Sequence, residues 1–74
     1  MNLEARPRSL TEAEVVRTLS ETNSPSDLMS YCAFVAWELR RTHDLVWRQR
    51  LRRMLGHYQR ALHLQSQDRH AQVR

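Results

Sequence analysis

The sequence predicts an all-α fold: a small three-helix domain with a flexible N-terminal arm and a frayed C-terminal tail. Three observations predict it. Helix-start signatures stand at residues 11–14 and 24–27. Apolar residues recur at helical spacing along most of the chain. The phase of that apolar stripe then changes near residues 42–44, which divides the second half of the chain into two helices rather than one.

Residues 1–10 read as a flexible arm. Pro7, flanked by Arg6 and Arg8, offers nothing to pack. Thr11-Glu12-Ala13-Glu14 is a capping box: the Thr11 hydroxyl accepts from the Glu14 amide, and the Glu14 carboxylate reaches back to Thr11. Leu10 and Val15 stand at the positions of a hydrophobic staple. Val15, Val16 and Leu19 form the apolar stripe of a first helix over 11–22, which ends where Thr22-Asn23-Ser24 favours a turn.

Ser24 then caps a second helix over 25–41. Pro25 suits its first position, because the missing N–H is not needed there. Asp27 favours the positive end of the helix dipole. Leu28, Tyr31, Cys32, Val35 and Leu39 make a stripe that Phe34, Ala36 and Trp37 widen, so this helix reads as the most buried element. Arg40 and Arg41 complement its C-terminus.

Between Arg40 and Leu55 there is no Gly or Pro to end a helix. The stripe direction set by Leu28, Val35 and Leu39 nevertheless differs by roughly 140° from that of Trp47, Leu51, Leu55, Tyr58 and Leu62, at about 100° per residue. A break at Thr42-His43-Asp44, with Thr42 or Asp44 as cap, lets both stripes face one core. The third helix is expected over 44–65, centred on Leu51, with Trp47 and Tyr58 in the core. Residues 11–66 make the single helical domain, and 67–74 a disordered polar tail.

Charge is unevenly distributed. The 74 residues hold twelve basic side chains, all arginine, against eight acids. Arginine without lysine points to a GC-rich genome. Residues 1–30 carry three arginines and five acids, whereas residues 31–74 carry nine arginines and three acids. Five of those nine, Arg48, Arg50, Arg52, Arg53 and Arg60, lie in WRQRLRRMLGHYQR. With Leu51 on the buried side, Arg53 and Arg60 face solvent, and Arg48, Arg50 and Arg52 take the flanks. Acids are scarce nearby. The stretch is either a solvated helix face or an anion-facing surface for a nucleic-acid backbone or an acidic protein patch. The expected partner-binding residues are these five together with Arg6 and Arg8.

Other function classes find little support. A chain this short rarely builds the rigid concave pocket that catalysis needs. It carries no Gly-rich phosphate loop and no Ser-His-Asp set, so it is read as non-enzymatic, without cofactor or metal. His57 and His63 are six residues apart, too far around a helix to share an ion. Cys32, alone among apolar neighbours, reads as a buried and inert thiol. No signal peptide or membrane span is visible, so a soluble cytoplasmic protein is expected. A helix-turn-helix reader would need an exposed polar second helix; here that helix carries YCAFVAWEL. A DNA-binding repressor and an antagonist of another host protein stay open as alternatives, as do monomer and dimer.

In length, arginine-rich composition and helical architecture, the chain resembles the small Xanthomonas-phage transcription regulators that bind host RNA polymerase. The resemblance implies binding to the β and β′ subunits near the flap and the amino-terminal zinc-binding region. It further implies displacement of sigma with inhibition of initiation, and antitermination at the RNA exit channel. It assigns no individual residue.

Overall fold

The computed structural model describes residues 9–72, with side chains through Asp68. The described residues form three helices and no strand: α1 (Glu12–Thr22), α2 (Pro25–Arg41) and α3 (Leu45–Gln72). Residues 1–8 of the expected arm lie outside the described residues; Ser9 and Leu10, its last two, are exposed and non-helical.

Local chemistry sets the helix starts. The Glu14 amide donates to the Thr11 hydroxyl at 3.1 Å, and the Thr11 amide donates to the Glu14 carboxylate at 2.9 Å. Both halves of the capping box are therefore made. The Asp27 amide donates to the Ser24 hydroxyl at 3.1 Å, with Pro25 in the first turn. Asp44, rather than Thr42, caps α3: its carboxylate accepts from the Trp47 amide at 2.9 Å. Residues 42–44 are non-helical, so the chain breaks where the stripe changes phase.

The helix ends are closed from a distance by α3. The Arg48 guanidinium donates to the Leu39 carbonyl and, at 3.0 Å, to the Thr42 carbonyl. It thereby satisfies carbonyls that the end of α2 leaves without a helical partner. Gln65 does the same for α1, its amide donating to the Ser20 carbonyl at 2.9 Å and to the Asn23 carbonyl. The Asn23 side-chain amide adds a bond to the Leu19 carbonyl at 3.0 Å. Each corner of the chain is thus tied by one polar side chain of α3.

Packing follows the same plan. α1 and α2 each lie against α3 rather than along one another. The apolar interior is correspondingly thin. Val16, Leu28, Val35, Leu51 and Ala61 are its buried residues. Leu19, Tyr58, Leu62 and Leu64 pack half-buried around Val16, Leu28 and Ala61. The Tyr31 and Tyr58 rings meet at 5.4 Å, joining α2 to α3. The molecule is flat, with extents of 48 × 43 × 14 Å. Its radius of gyration is 15.4 Å, against roughly 11 Å for a compact chain of this length.

Three expectations need correction. First, α2 is not a buried element: Leu28 and Val35 are buried, but Phe34 is 60% and Trp37 49% exposed. An apolar stripe that wide needs neighbours on two sides, and α3 covers one. Second, Trp47 is not core. It is 40% exposed, beside exposed Leu45 and Val46. Third, α3 continues to Gln72, past the expected end at 65. After Gly56 no Gly or Pro interrupts it. A helix already anchored through Ala61, Leu62 and Leu64 needs only propagation to extend, without a new nucleus.

Gly56 sits in this helix with no positive φ, and a Cβ placed on it meets nothing within 4 Å. It permits neither a special turn nor a close approach. Gly56→Ala is therefore expected to raise stability by about 0.5–1 kcal/mol through helix propensity alone, read as a higher midpoint in urea. A lower midpoint would mean that the glycine has a packing role.

Candidate interaction surface

The arginines of α3 divide by what they touch. Arg48 is half-buried and spent on the α2–α3 corner. Its contacts within the fold are to carbonyls at the end of α2.

Arg60 belongs to a tie between helices. Its guanidinium lies 3.5 Å from the Glu12 carboxylate, and His57 Nε2 lies 3.2 Å from the same oxygen. The hydrogen bond with His57 and then the charge of Arg60 hold the Glu12 carboxyl below the usual carboxylate range. Nothing in the local sequence signals this contact, because Glu12 comes from α1, far away along the chain.

Ionised Glu12 is favoured in the folded state, so its contribution is present above the unfolded carboxyl pKa of about 4.3. That contribution is lost as pH falls through the lower folded value. Glu12 is exposed, so the effect is small. Thermal melts of wild type and Glu12→Gln should differ at neutral pH and converge below about pH 4. A difference that persists in acid would refute the tie.

Arg50, Arg52 and Arg53 are exposed and make no ion pair among the described residues. Taken around the helix at about 100° per residue, Arg50 and Arg53 share a face with Val46, and Arg52 stands across from them. Asp44, Val46, Trp47 and Arg50 line a shallow open depression at the amino-terminal end of α3. The unpaired charge is therefore set beside an exposed indole and an exposed valine. Of the arginines expected to bind, the fold brings Arg50 and Arg53 together, leaves Arg52 exposed on a separate flank, and sets Arg48 against the end of α2 and the exposed Arg60 beside Glu12. Arg6 and Arg8 lie outside the described residues. Trp47 was missed as a surface residue because its helical spacing also fits the core stripe, whereas Val46 lies off that stripe.

Other candidate chemistry is sparse. Among the described residues no three His, Cys, Asp or Glu side chains are grouped to hold a metal ion. His63 lies 3.1 Å from the Gln67 amide. Cys32 is half-buried, and burial pushes its thiol pKa up, away from the reactive thiolate. No described helix is long and apolar enough to cross a membrane. α1 and α2 both pack on α3 and do not form the mutually packed pair of a helix-turn-helix. No family model, curated protein or solved structure matches the chain.

Proposed function

We propose that the chain is a small non-catalytic binding protein whose α3 amino-terminal face docks on an acidic protein surface. The observation that carries this reading is the make-up of the face. Exposed Val46 and Trp47 stand beside Arg50 and Arg53, which have no acid partner among the described residues. Tryptophan and arginine are the side chains that most often dominate protein–protein binding energy. A phosphate backbone is gripped by cationic and polar groups and has no use for exposed valine and indole.

The resemblance to small phage transcription regulators supplies the proposed partner, bacterial RNA polymerase, through its β and β′ subunits. The proposed action is occupation: sigma is displaced, initiation is inhibited, and RNA hairpins at the exit channel are kept from forming. A tagged chain incubated with a GC-rich bacterial lysate tests this. Capture of β and β′ that survives nuclease treatment, with sigma depleted, is the expected result. Capture that disappears with nuclease would replace it with a nucleic-acid reading. Retention of a different single protein would replace the partner.

A further inference from the structure

α2 presents a second apolar surface, separate from the face of α3. Phe34 and Trp37 are 60% and 49% exposed. The Phe34 and Trp37 rings lie 6.3 Å apart, and the Arg41 guanidinium sits 4.3 Å over the Trp37 ring. Asp27, Ser30, Phe34, Trp37 and Arg41 follow the alternating three- and four-residue spacing of a helix-packing seam. This seam lies on the side of α2 away from Leu28 and Val35, which are buried.

We propose that the seam packs against the same seam of a second copy of this chain, with the two α2 helices antiparallel about a two-fold axis at Phe34. Charge selects both the occupant and the orientation. The seam is acidic at one end, Asp27, and basic at the other, Arg41. Each stands seven residues from Phe34, about 10 Å along the helix. An antiparallel pair brings Arg41 level with Asp27 of the second copy, twice over. A parallel pair would set like charges together at both ends. The antiparallel arrangement also opposes the helix dipoles. Trp37 comes level with Tyr31 of the second copy, where the small Ser30 leaves room for the indole.

Two further facts fit a self-complementary partner. Asp27 is exposed and pairs with no cation among the described residues. The interior of one copy is also thin, and chains of this size commonly complete their core by association. The half-exposed Phe34 and Trp37 side chains give an apolar patch on the order of 200 Å² per copy. That area is at the small end for a specific interface, so the dimer is expected to be weak and concentration-dependent.

Sedimentation velocity from low-micromolar to near-millimolar concentration tests the proposal, with helicity of each variant read by circular dichroism. Wild type should pass from monomer to dimer, and Phe34→Glu should stay monomeric with its helicity kept. Asp27→Arg and Arg41→Asp should each weaken the dimer about tenfold, and the double swap should restore it. A chain monomeric at every concentration overturns the proposal and leaves the patch to a different protein or a stacking ligand. A dimer indifferent to Phe34→Glu places the interface elsewhere. A charge swap without rescue overturns the antiparallel register. The residues involved differ from those of the α3 face, so failure here leaves the proposed function untouched.

Discussion

Leu51→Ala should abolish the cooperative melting of this protein or lower its midpoint sharply, while Leu45→Ala leaves it nearly unchanged. Leu51 is 1% exposed and Leu45 is 75% exposed, although both are leucines of the same helix. Truncating a buried leucine removes its transfer free energy and leaves a cavity, together about 2–5 kcal/mol. A domain of this size has about 5 kcal/mol of stability in total, and so thin a core has little else to absorb the loss. Neighbouring residues cannot collapse into the gap freely, because Arg48, three residues away, is held by the end of α2. At Leu45 the change should stay within about 0.5 kcal/mol. The check is a pair of thermal and urea melts followed by helicity. Equal shifts for the two variants would mean that the interior is not organised around Leu51.

The second large effect concerns binding. Reversing Arg50 and Arg53 together should weaken the proposed polymerase complex on the order of a hundredfold, with helicity retained. Each reversal removes an attraction and creates a repulsion, about 1–2 kcal/mol per position at a partly desolvated interface. Neither guanidinium makes an ion pair with the described residues, so the fold loses nothing by the change. Arg52→Glu is the control for each single reversal, Arg50→Glu or Arg53→Glu. It alters net charge in the same direction but stands on another flank of α3, so binding should fall by only a few-fold. A nucleic-acid backbone held by diffuse charge would respond to the three positions alike, with a steep dependence on salt. Trp47→Ala separates the readings further: an indole anchor is essential to the proposed protein contact and irrelevant to phosphate neutrality.

What the sequence disclosed and what it concealed divide by range. The capping box at Thr11 and Glu14 and the Ser24-Pro25 start rest on groups within a few residues of one another. The break before Asp44 was legible instead from the change of stripe phase between the second and third helices. The buried positions Leu28, Val35 and Leu51 were legible because they lie at the centres of their stripes. The edges of the stripes were not. Phe34, Trp37 and Trp47 fit a core pattern by spacing, and only the arrangement of α1 and α2 on α3 leaves them exposed.

The arginines divide in the same way. Their clustering is plain in the sequence, and their separate duties depend on tertiary partners. Arg48 reaches the carbonyls that end α2, and Arg60 reaches Glu12 on α1. Neither partner belongs to the helix that carries the arginine. Gln65, which closes α1, gave no signal at all, since a glutamine on a polar helix face is the common case. The length of α3 was underestimated for a different reason: beyond Leu64 the sequence is polar and carries no apolar period, yet the helix continues from an anchored stretch.

The most direct measurement is an equilibrium titration of labelled protein with purified, nuclease-treated bacterial RNA polymerase core, repeated with the Arg50→Glu/Arg53→Glu variant. Saturable binding by wild type, lost in the variant and competed by sigma, is the result expected if the α3 face is the docking surface. Absence of saturable binding, or equal binding by wild type and variant, would contradict that assignment.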